Sequence, residues 1–144
     1  MRAVVLSMWL AVVVAPRSAA AQPDDDRAAL IRRLVAALDE NPDPLHLDVT
    51  PAGIELSRLG IRIVPALEAA LRSDRRETRM HAQTALSFML RARLRSDPLD
   101  RCPAHIEARL PVSFALTWDR NGGYRWDAAP AARTRSVGLW LSWY

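Results

Sequence analysis

The stretch from Leu59 to Leu71 carries a glycine and a proline inside an otherwise helical pattern, and this punctuation strongly constrains the fold. Glycine readily adopts the left-handed conformation that ends many helices. Proline is tolerated in the first turn of a helix, where its missing amide donor is not needed. We therefore predict that Gly60 ends one helix and that Pro65 lies in the first turn of the next.

Helical spacing and helix-breaking residues alternate along the rest of residues 22–144. Apolar residues recur three and four positions apart, and no stretch shows the period of two that a strand requires. Thr50 before Pro51 indicates a helix start, and a long helix ends near Arg95. We predict an all-α fold, a compact array of five to seven helices.

Residues 54–90 contain a leucine-glycine pair, a proline soon after it, then an aspartate, an arginine and an alanine-leucine pair. These residues are Leu59, Gly60, Val64, Pro65, Ala66, Leu67, Leu71, Asp74, Arg79, Ala82, Ala85 and Leu86. In this order they resemble one unit of a HEAT repeat. The resemblance implies a HEAT-like helical hairpin at the centre of the fold, in which the aspartate and arginine have the structural role of locking adjacent repeats.

The first 21 residues have the organisation of a secretory signal peptide. Arg2 gives a positive start, 13 apolar residues follow from Ala3 to Ala15, and small residues at Ala19–Ala21 suit cleavage. A membrane-spanning helix needs about 20 residues, although an uncleaved anchor is the competing interpretation. We predict an exported protein, periplasmic or secreted, with no stable membrane span after cleavage.

We divide the chain into the signal peptide at 1–21, a HEAT-like helical region at 22–95 and a tryptophan-rich C-terminal helical segment at 96–144. Cys102 is the only cysteine, which excludes an intramolecular disulfide. All 20 basic residues are arginine, and removal of residues 1–21 leaves 18 of them against 16 acidic residues. The resulting net charge of +2 would attract nucleic acid only weakly, so we do not expect nucleic acid as a partner.

Four of the five tryptophans lie near the C-terminus, and they have two interpretations. They either close the open end of the helical core or form an aromatic platform for a sugar or peptide. The candidate binding residues of this aromatic cluster are Trp118, Tyr124, Trp126, Trp140 and Trp143.

The predicted helix after Asp74 is rich in arginine. Arg75, Arg76 and Arg79 lie near its start, and further arginines follow at 91, 93 and 95. A solvated helix face explains this run, whereas an acidic partner or an anionic envelope surface is the functional alternative. Arg75, Arg76 and Arg79 complete the candidate binding surface.

Chemistry-bearing motifs are weak in this sequence. Cys102, His105 and His81 are the one conceivable metal cluster, but they lack the four ligands of a structural zinc site. We expect a partly buried thiol and two surface histidines, with no metal or cofactor. Asp119 and Asp127 flank the Gly122-Gly123 turn and are the best candidate catalytic pair, yet aspartates are ordinary turn residues.

These observations favour a non-enzymatic, exported interaction or scaffold module that binds a protein partner in the cell envelope. Stacked helical hairpins present ridges and grooves that suit a peptide or a helix. The alternative is a binder of small ligands or glycans that uses the C-terminal aromatic cluster. Self-association through the open ends of the helical array is a further possibility.

Overall fold

The computed structural model describes residues 23–40, 45–95 and 112–144, and these residues form seven α-helices and no strand. The all-α prediction is confirmed for this part of the chain. The predicted signal peptide, Cys102 and His105 lie outside the described residues. The helices are α1 (Pro23–Ala36), α2 (Pro51–Arg58), α3 (Ile63–Ala66), α4 (Glu68–Arg72), α5 (Arg76–Arg95), α6 (Val112–Arg120) and α7 (Pro130–Trp143).

Several helix starts follow from the chemistry of the residues around them. Thr50 is extended, with φ −115° and ψ 150°, and its hydroxyl accepts the N–H of Gly53 at 3.0 Å. Pro51 then takes the first position of α2, and Pro130 takes the first position of α7. The first turn of α1 carries three aspartates, which the positive end of the helix dipole stabilises.

Gly60 separates α2 from α3, as the sequence predicts. Its φ of +71° lies in the left-handed region that favours glycine. A 3₁₀ turn over Gly60–Arg62 leads into α3, where Pro65 is the third residue. The amide of Leu67 donates to the carbonyl oxygen of Ile63 at 2.9 Å, so helical hydrogen bonding continues past the proline.

The longest helix, α5, packs against α2, α4 and α6. Ala82, Ala85, Leu86 and Met89, spaced three and four positions apart or adjacent on one helical face, are buried, and Met80 is half-buried. Neither α5 nor any other helix in the described ranges is both long and apolar enough to cross a membrane. The other large side chains of the described residues that are fully buried are Leu38, Leu56, Ile63, Val64, Leu67, Leu71, Leu90, Tyr124, Val137 and Trp140.

A helical hairpin, α6 and α7, packs on the N-terminal helices. Gly122 and Gly123 make its turn with φ of +79° and +52°. The Asn121 side chain donates to the carbonyl of Thr117 at 2.9 Å, and the Asn121 carbonyl accepts the Ser136 hydroxyl at 2.7 Å. Because α7 contacts α3 and α4, residues 112–144 close one side of the core.

Candidate functional site

At the C-terminal end of α5, two exposed arginines lie over aromatic rings of the C-terminal hairpin. The guanidinium carbon of Arg91 is 5.3 Å from the ring centre of Phe114 in α6. That of Arg93 is 5.5 Å from the ring centre of Trp143 in α7. The negative ring face attracts a cation within about 6 Å. We call these four residues the arginine–aromatic surface.

A continuous row of ring contacts holds this surface to the core. Phe114 stacks on Trp118 with ring centres 5.6 Å apart, and Trp118 meets Trp140 edge-on at 5.4 Å. Trp140 meets Trp143 edge-on at 5.2 Å. Such pairs contribute about 0.5–1.5 kcal/mol each beyond burial. Because Trp140 and Phe114 are both buried, the row fixes the rings of Phe114 and Trp143 over which the two arginines lie.

Arg91 and Arg93 differ from five exposed arginines of the described residues that form ion pairs with carboxylates. Elsewhere in the described part of the chain, arginine–carboxylate pairs are common: Arg58–Glu55, Arg62–Asp24, Arg72–Glu68, Arg75–Asp39 and Arg125–Asp127. Among the described residues, no carboxylate lies within ion-pair distance of Arg91 or Arg93. Guanidinium groups have planar N–H donors whose geometry is well suited to a carboxylate.

Arg79, one of the predicted binding residues, is engaged by backbone carbonyls. It donates to the carbonyl oxygens of Ser73 at 2.8 Å, Asp74 at 2.7 Å and Trp126 at 2.9 Å. The backbone N–H of Trp126 in turn donates to the side-chain oxygen of Gln83 at 2.8 Å. Arg79 therefore holds the turn before α5 against the loop before α7.

The other two predicted arginines have different surroundings. Arg75 pairs with Asp39 at 3.2 Å, so its charge is partly neutralised. The guanidinium carbon of Arg76 is 4.5 Å from the ring centre of Trp126 and remains exposed. Arg76 thus repeats, near the start of α5, the arrangement of the arginine–aromatic surface at its end.

Two of the predicted aromatic residues lie inside the core. Tyr124 is buried, and its hydroxyl donates to the carbonyl oxygen of Leu71 at 2.6 Å. Burial raises the pKa of Tyr124, although the positive charges of Arg133 and Arg79 act in the opposite direction. Trp140 is also buried, and its Nε1 has no hydrogen-bond partner among the described residues. Both side chains fit the core interpretation.

The remaining aromatic candidates, Trp118, Trp126 and Trp143, are half-buried. Trp118 packs between Phe114 and Trp140, whereas arginines lie over Trp126 and Trp143. Trp118, Tyr124 and Trp126 therefore do not form an open platform of three bare rings.

The prediction that His81 lies on the surface is wrong. Its Nδ1 is 3.0 Å from one carboxylate oxygen of Asp39, and its Nε2 is 2.8 Å from the carbonyl oxygen of Leu47. The other oxygen of Asp39 accepts the Thr78 hydroxyl at 2.6 Å and pairs with Arg75. These partners allow the imidazole to be buried on the inner side of α5, with only 5% of its surface exposed.

The described residues contain no group of three His, Cys, Asp or Glu side chains that could hold a metal ion. Asp127 pairs with Arg125 at 2.9 Å, and this hydrogen bond lowers the pKa of Asp127. Asp127 is thus an exposed, charged turn residue.

Phe114 was not among the residues that the sequence singled out, and Arg91 and Arg93 were noted only as part of a basic run. The sequence feature that could have indicated these contacts is a pair of arginines near the end of a long helix, followed by an aromatic-rich segment. That feature does not say which ring each arginine meets, because the pairing depends on how α6 and α7 pack.

Comparison of the chain with protein-family models, curated proteins and solved structures found no match. The HEAT-repeat resemblance stays a prediction that rests on the residues quoted for it.

Proposed function

We propose that the protein is a non-enzymatic, exported interaction module that binds an acidic segment of a protein partner in the cell envelope. The observation that carries this proposal is the arginine–aromatic surface. Its two exposed guanidinium groups are held over rings and have no carboxylate partner among the described residues. Pre-organised cations of this kind lose little conformational entropy when they bind a carboxylate.

The chemistry around the arginines favours a polypeptide as the partner. Arginine and aromatic residues are enriched in protein–protein interfaces, where they supply much of the binding energy. Tyr144, which follows Trp143 of this surface in the chain, is 57% exposed and adds apolar area. A protein segment that combines acidic and apolar residues would match both features.

The proposal is tested by capture from an envelope extract with three forms of the immobilised full chain. The test variant is Arg91→Gln, Arg93→Gln. The matched control is Arg32→Gln, Arg33→Gln, which removes the same charge from exposed positions of α1 that have no ring contact among the described residues. Circular dichroism checks that all three forms are folded.

We expect the wild type and the control to retain one acidic protein in fixed stoichiometry, and the test variant to lose it. Equal retention by all three forms would contradict the proposal, as would retention of nothing above background. Saturable quenching of tryptophan fluorescence by cell-wall fragments would instead favour the alternative, a glycan binder that uses the aromatic cluster. Measurement of the molecular mass of the free chain in solution distinguishes self-association from partner binding and from glycan binding.

A further inference from the structure

His81 is surrounded by hydrogen-bond acceptors on both sides of its ring. Nδ1 faces the carboxylate of Asp39 at 3.0 Å, and Nε2 faces the backbone carbonyl of Leu47 at 2.8 Å. A neutral imidazole has one N–H donor, whereas the imidazolium ion has two. Only the protonated ring can therefore make both hydrogen bonds. Because the side chain is buried, water does not readily replace either partner.

The carboxylate decides which of the two hydrogen bonds is lost when the ring becomes neutral. Burial raises the pKa of Asp39, but hydrogen bonds from Thr78 and His81 and the charge of Arg75 outweigh burial and hold the pKa below its ordinary value. The charged carboxylate retains the proton on Nδ1. The proton on Nε2 is the one that leaves, and the Nε2 lone pair then faces the carbonyl oxygen of Leu47.

Several other charged groups on the elements packed around the ring are exposed to solvent. Glu55 and Arg58 of α2 pair with each other and are exposed. Glu77, one turn earlier on α5, is also exposed, as are His46 and Asp48 on either side of Leu47. Arg75 reaches the carboxylate of Asp39, but no described carboxylate other than Asp39 forms an ion pair with His81.

We propose that His81 and Asp39 form a pH-sensitive latch for the segment 45–49, which leads into α2. Protonated His81 holds this segment against α5, and loss of its second ring proton releases the segment. The latch has a consequence for the surface, because Leu45 and Leu47 are 85% and 64% exposed. Release of the segment changes where these two apolar side chains are presented. This inference is independent of the proposed partner-binding surface.

The first test reads the protonation state of His81 in the full, ¹⁵N-labelled chain. Long-range ¹H–¹⁵N correlation spectra distinguish an imidazolium ring from either neutral tautomer. Across a pH series, we expect both nitrogens of His81 to carry protons wherever the segment 45–49 is protected, and only Nδ1 to carry one wherever that protection has fallen. A single-proton tautomer in the protected state overturns the proposal.

The second test follows the segment itself by hydrogen exchange, corrected for the intrinsic pH dependence of exchange. The amide of Val49 donates to the carbonyl of His46 at 3.1 Å, and the amide of Ile54 in α2 donates to Thr50 at 3.0 Å. We expect the protection of Val49 to fall about tenfold in step with the loss of the Nε2 proton, the effect of one lost hydrogen bond. The protection of Ile54 should change less.

A substitution of His81 assigns the effect to the buried ring. His81→Gln is neutral at every pH, so its Val49 protection should not depend on pH. Protection of wild-type Val49 that is unchanged when the His81 proton leaves would refute the latch, whether or not His81→Gln folds.

Discussion

Tyr124→Phe isolates the energetic contribution of one buried hydrogen bond between the C-terminal hairpin and the rest of the fold. The Tyr124 hydroxyl donates to the carbonyl of Leu71, near the end of α4, at 2.6 Å. Phenylalanine keeps the ring and its packing but removes this donor. The lost hydrogen bond costs about 1 kcal/mol, and the carbonyl left without this donor adds about 1 kcal/mol more.

We therefore expect the free energy of unfolding to fall by about 2 kcal/mol, which corresponds to a decrease in Tm of about 6–10 °C. Urea titration followed by tryptophan fluorescence measures the first quantity, and thermal denaturation followed by circular dichroism measures the second. Tyr144→Phe makes the same chemical change at an exposed position and should leave both unchanged. A loss for Tyr124→Phe of less than about 0.5 kcal/mol would refute the reasoning.

Three further predictions concern stability. Trp140→Ala should lower the free energy of unfolding by about 3–5 kcal/mol. Trp140→Phe should lower it by clearly less, because the buried indole N–H has no partner to lose among the described residues. Urea titration measures both losses, and equal losses would contradict this argument. Gly122→Ala should lower the free energy of unfolding by about 2 kcal/mol, measured by the same urea titration, because φ of Gly122 is +79° and the new Cβ would lie 3.2 Å from Cα of Ser136. The pKa of Asp39 is lower in the folded state than in the unfolded state. The charged carboxylate therefore stabilises the fold at pH values above the unfolded-state pKa, and this stabilisation is lost as the pH falls through the folded-state pKa. Asp39→Asn should therefore be less stable than the wild type at neutral pH and show a smaller further loss between about pH 4 and pH 2; an unchanged acid-side slope would contradict this.

Local chemistry made the helix boundaries predictable from the sequence. Thr50 caps α2 and Pro130 begins α7 because both features depend on residues adjacent in the chain. Gly60 adopts the predicted left-handed conformation for the same reason. The helical period also identified the inner face of α5, since burial along one helix follows from spacing alone.

Features that depend on contacts between distant segments were not predictable in the same way. His81 is buried because Asp39, 42 residues away in the chain, supplies a carboxylate to its ring. Its position on α5 gave no sign of that partner. The contact of Arg91 with Phe114 likewise depends on how α6 packs beside α5.

The two arginine clusters show the same division between local and long-range effects. Arg79 was counted among the candidate binding residues, although the HEAT resemblance also implied a structural role; three backbone carbonyls from two separate loops accept hydrogen bonds from its guanidinium group. Arg91 and Arg93 looked no different in composition, but the structure leaves them exposed over aromatic rings. Composition therefore indicated a basic helix, whereas the contacts of each arginine depend on long-range packing.

The most direct test of the account titrates the full chain with a synthetic glutamate-rich peptide of about ten residues and measures Kd by isothermal titration calorimetry. Arg91→Gln, Arg93→Gln is compared with the charge-matched control Arg32→Gln, Arg33→Gln. The account predicts that the first variant weakens binding about tenfold and the control by less than about twofold, because only the first removes the pre-organised guanidinium groups. Equal weakening by the two variants would show that net charge alone attracts the peptide and would contradict the arginine–aromatic surface as a binding site.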